Sequence, residues 1–135
     1  MSKLLARLRD PARSGVYRAR AAGNIEQETR GSRLDVVAID AAGDVFAGIA
    51  GALGFPSWFG ANWDALEDSL SDLSWRPREG YVLIFRSYPG GDALGILADV
   101  LRSAAQFWAE RGKPFFAVFL DPQQKLPLPD LYRGA

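Results

Sequence analysis

Three short apolar runs separated by helix-like segments constrain the fold of this chain most strongly. The runs are LDVVAID (34–40), YVLIF (81–85) and FFAVFL (115–120), and each has the length of a typical β-strand. They show little alternation of apolar and polar residues, which is typical of strands covered on both faces. Strands that alternate with helices form a parallel sheet with right-handed crossovers. The sequence therefore predicts a small α/β fold, with a three-stranded parallel sheet covered by helices.

The segments between these runs carry the signals of helices. Residues 41–53 have apolar side chains at helical spacing and are followed by Gly54 and Pro56, which are typical of a helix end. Residues 92–111 place leucine, alanine and tryptophan at steps of three and four before Gly112, which predicts a long amphipathic helix.

The chain has 135 residues, which is the size of one domain. We divide it into a basic N-terminal extension (1–33), a central domain (34–121) and a proline-rich C-terminal tail (122–135). Within the extension, SGVYRAR (14–20) is predicted to be a short strand or arm, and NIEQETRGS (24–32) a polar helical turn. We therefore expect an extra N-terminal edge element beside the central sheet.

The composition excludes several kinds of active site. The chain has no cysteine and no histidine, which rules out thiolate nucleophiles, disulfides, histidine-based triads and histidine-ligated zinc. We predict no catalytic residue, no cofactor and no metal ligand. The sequence shows neither a signal-peptide core nor an apolar run long enough to span a membrane, so we expect a cytoplasmic protein without membrane contact.

The charges are balanced overall but divided along the chain. There are 16 basic and 16 acidic residues, yet residues 34–75 contain seven acidic residues and no basic one, whereas residues 1–33 contain eight basic and three acidic residues. The basic segment is interpreted as a solvated amphipathic arm, with folding back against the acidic block as the alternative, and no direct contact with nucleic acid is expected.

The acidic block contains a helix with two distinct faces. Asn62 is a suitable N-cap for a helix over about 63–73, because its side-chain oxygen can accept from amides of the first turn. At helical spacing an apolar stripe is formed by Trp63, Leu66, Leu70 and Leu73. Asp64 and Asp68 lie on the opposite side, and the carboxylates of Glu67 and Asp72 flank them. Charged faces are ordinary on surface helices. In this helix, however, Asp64 and Asp68 form a like-charge pair one turn apart, and no lysine or arginine offsets their repulsion.

The loop before this helix adds aromatic side chains. Trp58 is consistent with either a core position or an interface anchor, whereas Phe59 fits the core better. Gly60 is expected to supply a positive φ or a close backbone approach at the bend. The aromatic residues and the missing counter-charges favour a protein-binding surface. Its candidate residues are Trp58, Phe59, Gly60, Asn62, Asp64, Glu67, Asp68 and Asp72.

The segment LGFPSWFGANWDALEDSLSDL (53–73) resembles the signature of the barstar family, the intracellular inhibitors of barnase-type ribonucleases. The shared pattern is an aromatic pair, Gly, any residue, Asn, an apolar residue, Asp-Ala-Leu, any residue, Asp, and a Leu two positions further on. The predicted strands and the long helix follow in the family's order, so the resemblance covers about 34–121. It implies a three-stranded parallel sheet and an acidic helix that, with its preceding loop, plugs the ribonuclease active site.

The resemblance also implies roles for individual residues. Asp68 would be the central anchor in place of an RNA phosphate, and Asp64 would add a second such contact. Trp58 would stack on a group of the nuclease active site, while Gly60 and Asn62 would add backbone and polar contacts.

Three features of the sequence depart from the family pattern. Glu67 stands where the family has a tryptophan. A glutamate of the family's long helix aligns with Gln106 or Phe107, and Glu110 is nearby but out of register. The cysteines of the prototype are missing.

These observations predict a non-catalytic immunity protein, or antitoxin, of the bacterial cytoplasm. It would be a monomer when free and would bind a basic bacterial ribonuclease, either barnase-like or a related toxin nuclease. The alternative is a protein-binding module of the same fold for a basic non-nuclease partner or another toxin. An enzyme with paired carboxylates, as in glycosidases, is disfavoured because aspartates on consecutive turns of an exposed helix do not flank a cleft.

Overall fold

A computed structural model describes residues 2–132 of the chain. In this range it contains four strands, which are β1 (Gly15–Ala19), β2 (Leu34–Asp40), β3 (Gly80–Ser87) and β4 (Phe115–Leu120). It also contains five α-helices, which are α1 (Lys3–Leu8), α2 (Gly23–Thr29), α3 (Val45–Leu53), α4 (Trp63–Leu70) and α5 (Gly91–Ala109). Within the same range, no helix combines the length and the apolar character needed to cross a bilayer.

The strands form one parallel sheet in the order β1-β4-β3-β2. The prediction of a parallel sheet covered by helices is confirmed, but the prediction of three strands is wrong, because the N-terminal edge element is a fourth strand. This strand pairs Gly15 with Phe116 and Ala19 with Leu120. Only Val16 of β1 is fully buried, so the strand lacks the continuous apolar run that marks the two central strands, β3 and β4.

Both faces of the sheet are covered, which explains why the two central strands are apolar over residues 81–85 of β3 and 115–120 of β4. On one face, Leu83 and Phe85 of β3 pack in the cluster that contains the buried residues of α3, α4 and α5. On the other face, Val82, Ile84 and Phe116 pack in a second cluster with residues of α1, α2 and the C-terminal segment. The acidic helix α4 therefore lies on the opposite face of the sheet from α1 and α2.

The N-terminal segment is part of the folded structure. Leu4 and Leu8 of α1 are buried in the second cluster, and the Ser2 hydroxyl caps the helix by accepting from the Leu5 amide at 3.0 Å. The interpretation of this segment as a solvated arm is therefore wrong, and so is the alternative that it folds back against the acidic block. Leucines four residues apart give a helix an apolar stripe even when arginines separate them.

The C-terminal segment is irregular, as its prolines predict, but it also packs on the fold. Leu131 is buried. Arg18 of β1 holds the segment, since its Nε lies 2.7 Å from Oδ1 of Asp130 and its Nη1 donates to the carbonyls of Gln124 and Leu126. The last three residues of the predicted tail, 133–135, lie outside the described residues.

Two helix boundaries differ from the predictions. Helix α3 begins at Val45 and not at residue 41, because the Asp44 carboxylate caps it by accepting from two amides at 3.1 Å. Helix α4 ends at Leu70 and not near residue 73, and Leu73 itself has a positive φ of 50°. The predicted end of α3 is confirmed, since Gly54 has a left-handed conformation.

Candidate functional site

Local hydrogen bonds fix the start of α4. The side-chain oxygen of Asn62 accepts from the Ala65 amide at 2.8 Å, which confirms Asn62 as the N-cap, and its Nδ2 donates to the Gly60 carbonyl at 3.3 Å. The positive φ at this bend belongs to Ala61 and not to Gly60. A Cβ at position 60 would lie 3.4 Å from Asn62 Nδ2 and from Ala65 Cβ, so Gly60 passes close to the helix start.

The two faces of α4 divide as the sequence predicts. Leu66 and Leu70 are fully buried, and Trp63 is half-buried with its ring 4.9 Å from that of Phe46 in an edge-to-face arrangement. We name the four carboxylates on the other side, Asp64, Glu67, Asp68 and Asp72, the acidic ridge. Three of them are exposed and Glu67 is half-buried. Asp72 lies just beyond the last helical residue, so it extends the ridge from the turn that follows α4.

Within residues 2–132, no ion pair includes any of the four carboxylates of the acidic ridge. The other three acidic residues of the block are engaged elsewhere. Asp35 pairs with Arg76, Asp40 pairs with Arg86 at 2.6 Å, and Asp44 caps α3. The surplus of negative charge that the sequence shows for residues 34–75 is therefore concentrated on the acidic ridge.

The loop before α4 exposes the aromatic ring of Trp58 to solvent, next to a cluster of other aromatic rings. Trp58 is 70% exposed, and its ring is perpendicular to that of Trp75 at 6.4 Å. Phe55 packs edge-on against both Phe59 and Trp75, at 4.9 and 5.6 Å. The Trp75 indole nitrogen donates to the Leu53 carbonyl at 3.1 Å. The sequence is consistent with either a core or an exposed position for Trp58, and in the structure this side chain is exposed. Phe59 is half-buried against the core.

A pocket of about 370 Å³ joins the loop to the acidic ridge. Its lining includes five of the eight candidate residues, which are Trp58, Phe59, Gly60, Asp68 and Asp72. Two unpaired carboxylates beside an exposed indole form a site suited to a cationic side chain, through charge-assisted hydrogen bonds and a cation–π contact. The candidates Asn62, Asp64 and Glu67 do not line this pocket.

The residues that support this surface carry no signal in the sequence that assigns them to it. Trp75 and Phe55 form the aromatic base, but a lone tryptophan between polar residues carries no pattern that links it to a loop twenty residues away. At the far end of α5, Glu110 is exposed and accepts from Gln106 at 3.2 Å. No group of three or more carboxylates in the described part of the chain comes close enough to hold a metal ion.

Comparison with known protein families gives a match for this chain. The family described as Barstar (barnase inhibitor) matches residues 30–120, which include β2 to β4, α4 and the preceding loop. Strand β1 and helices α1 and α2 precede the matched range. Comparisons with curated proteins and with solved structures gave no match. Because the matched range is more than half of the chain and contains the residues on which the resemblance rests, the protein belongs to the barstar family.

Proposed function

We propose that this protein is a non-catalytic inhibitor that blocks the active site of a basic bacterial ribonuclease with the acidic ridge and Trp58. One observation carries the proposal. The four carboxylates of the acidic ridge form no ion pair within residues 2–132. The other three acidic residues of the same block are engaged, since two of them form ion pairs and the third caps a helix. Membership of a family described as barnase inhibitors supports the same role.

The arrangement of the acidic ridge suits the imitation of RNA. A ribonuclease active site carries cationic side chains that bind phosphate, and carboxylates at fixed positions can occupy those sites without offering a bond to cleave. The buried Leu66 and Leu70 fix α4 to the core, so its carboxylates are held in place before binding and little conformational entropy is lost in the complex. Complementary charge also accelerates the encounter of the two proteins and makes it sensitive to salt.

The geometry does not support hydrolysis by the carboxylates themselves. Asp64 and Asp68 are exposed on consecutive turns of one helix, and only Asp68 lines the pocket beside Trp58. Paired carboxylate catalysis needs two groups on opposite sides of a substrate. We propose that the protein acts in the bacterial cytoplasm as an immunity protein that neutralises a nuclease.

The test is inhibition of RNA cleavage by candidate ribonucleases, beginning with barnase. The purified protein should abolish cleavage at a one-to-one molar ratio, and Asp68→Ala should weaken inhibition strongly. Asp92→Ala is the matched control, because Asp92 is an exposed aspartate of α5 outside the acidic ridge. If Asp64→Ala and Asp68→Ala bind the nuclease as tightly as the parent protein, the assignment of the site is wrong.

One observation keeps a second candidate function open. Glu67 stands where the family has a tryptophan, so the acidic ridge has an additional carboxylate and lacks an aromatic contact. This change favours a target that is more basic than barnase, which can be another toxin or a basic protein without nuclease activity. Capture of partners from the source cell at low salt, followed by release at high salt, separates these cases, since a single non-nuclease partner would favour the alternative.

A further inference from the structure

A second charged surface lies apart from the acidic ridge, at the edge of the sheet where β2, β3 and β4 begin. We name it the basic patch, and its cations are Arg9, Arg33, Arg78, Arg111 and Lys113. They line two pockets of about 530 and 440 Å³ that share Arg33 and Lys113. No residue of the acidic ridge lines either pocket.

The basic patch is assembled from four separate segments of the chain. Arg9 follows α1, Arg33 precedes β2, Arg78 precedes β3, and Arg111 and Lys113 lie between α5 and β4. The net charge of zero and the wide sequence separation hide this cluster in the primary structure. It becomes visible only because the parallel sheet places the beginnings of three strands at one edge.

Little negative charge offsets these cations. Glu79 is the one carboxylate that lines the two pockets, and it lies 3.5 Å from Arg33. Both side chains of this pair are exposed, at 82% and 58%, so the contact is weak. Within residues 2–132, no ion pair includes Arg9, Arg78, Arg111 or Lys113.

Several of the cations are held by neutral partners, which fix their positions without cancelling their charge. Lys113 Nζ donates to the Arg78 carbonyl at 2.8 Å, and Arg78 donates to the Pro77 carbonyl at 3.1 Å. Arg111 donates to the Phe107 carbonyl at 2.8 Å, and its guanidinium carbon lies 3.5 Å from the centre of the Phe107 ring. The patch therefore presents partly ordered guanidinium and ammonium groups with free donors.

We infer, against the expectation from the sequence that the protein does not contact nucleic acid, that the basic patch binds the phosphate backbone of a nucleic acid without reading its sequence. Four of the five cations are arginines, whose planar donors match the geometry of phosphate oxygens. Binding of this kind depends on cations that contact phosphates along the nucleic acid, and it does not need hydrogen-bond donors to the bases. The surface is separate from the acidic ridge, so it adds a second activity to the proposed inhibitor.

An acidic protein is the other ligand that five cations could attract, and the composition of the patch disfavours it. Protein interfaces usually have an apolar or aromatic centre from which water is excluded. Among the described residues, the exposed large apolar side chains are those of Trp58 and Ile96, and neither belongs to the patch. The absence of exposed aromatic rings there also disfavours stacking on bases, which leaves contacts to the backbone.

The test measures binding of a fluorescein-labelled single-stranded RNA of about 20 nucleotides by fluorescence anisotropy. The full-length parent should bind at about 50 mM salt and weaken on raising the salt to about 200 mM, with a logarithmic slope between about −2 and −3.5. The variant Arg33→Glu/Arg78→Glu should lose at least about tenfold in affinity. The matched control Arg20→Glu/Arg102→Glu changes the net charge equally at exposed residues outside the patch and should lose less than about threefold.

Circular dichroism and thermal melting establish that both variants are folded, and Arg33→Gln/Arg78→Gln replaces the charge-reversed variant if that one is not. A single-stranded DNA of the same length distinguishes the two sources of phosphate. Equal affinity indicates recognition of the backbone alone, whereas a preference for RNA indicates that the 2′-hydroxyl contributes. The inference is overturned if the parent does not bind at low salt, if the control loses as much as the patch variant, or if polyglutamate of equal charge competes as well as RNA.

Discussion

Arg76 and Asp35 form a two-pronged ion pair that joins the end of the candidate site to the sheet. Arg76 Nη2 lies 3.2 Å from Asp35 Oδ1, and its Nε contacts Oδ2 of the same carboxylate. Asp35 lies on β2 and is only 7% exposed, while Arg76 follows the acidic ridge in the chain. The hydrogen bond to Asp35 raises the pKa of Arg76. Arg76 is the first cationic residue after the acidic ridge in the chain. Because it is bound to Asp35, it does not neutralise the carboxylates of the ridge.

Loss of Arg76 should destabilise the protein strongly. Arg76→Met leaves the buried Asp35 carboxylate without a counter-charge, and we expect the free energy of unfolding to fall by about 3 kcal/mol. The double variant Asp35→Leu/Arg76→Met removes both charges and should recover most of that loss. Urea denaturation of the two variants measures the difference, and equal destabilisation would show that the ion pair is not the cause.

Asn62 should contribute to stability as a cap in addition to any contact with a partner. Asn62→Ala removes the acceptor of the Ala65 amide and should cost about 1 kcal/mol of unfolding free energy. Asn62→Asp keeps a capping oxygen and should unfold at nearly the same urea concentration as the parent. A fall of the same size for both variants would contradict the capping role.

Substitutions of Trp58 and Trp75 should have different effects, although the two rings are in contact. Trp58 should matter for binding and Trp75 for stability. Trp58→Ala should change the unfolding free energy by no more than about 0.5 kcal/mol, since the side chain is 70% exposed. Trp75→Ala removes the hydrogen bond to Leu53 and the contact with Phe55, and should cost about 2 kcal/mol or more. Chemical denaturation measures stability and ribonuclease inhibition measures binding. We expect Trp58→Ala to impair inhibition while the protein stays folded.

The N-terminal helix should be needed for stability even though it lies outside the range that matches the family. Leu8→Ala empties a fully buried position in the second cluster and should cost about 3 kcal/mol. Lys3→Ala in the same helix is the control, because Lys3 is exposed and its removal should have little effect. Thermal melting of both variants tests this prediction. An unchanged melting temperature for Leu8→Ala would mean that α1 does not stabilise the sheet.

Asp121 should contribute to the loss of stability in acid. The amide of Leu126 donates to Asp121 Oδ2 at 2.7 Å and lowers the pKa of this carboxyl below its ordinary value. A carboxyl with a lower pKa in the folded state adds stability that is complete above the unfolded pKa of about 3.9. That stability is lost as the pH falls through the folded pKa.

The substitution Asp121→Asn should therefore flatten the decline of unfolding free energy below about pH 4. Glu28→Gln, which changes an exposed carboxyl of α2, should keep the parent's pH dependence. Urea unfolding at a series of pH values checks both variants. A decline in Asp121→Asn as steep as in the parent would show that other carboxyls account for it.

Much of the central fold could be predicted because its signals are local. The runs at 34–40, 81–85 and 115–120 are strands. In the two central ones, 81–85 and 115–120, burial on both faces leaves a continuous apolar stretch, whereas burial alternates along the edge strand 34–40. The two faces of α4 and its cap at Asn62 follow from helical periodicity and from one side chain that can accept from nearby amides. These properties depend on residues within a few positions of one another.

The sequence by itself determined the parallel α/β arrangement, the acidic helix and its aromatic loop. Tertiary structure decided that β1 pairs with β4, whose paired residues are 101 positions away, and that α1 covers the second face of the sheet. It also decided which charges remain free, since seven similar carboxylates in one block separate into three that are engaged by the fold and four that form the acidic ridge. The physical reason is that periodicity is set by neighbours along the chain, whereas compensation of a charge depends on which distant side chain the folded backbone brings within a few ångströms.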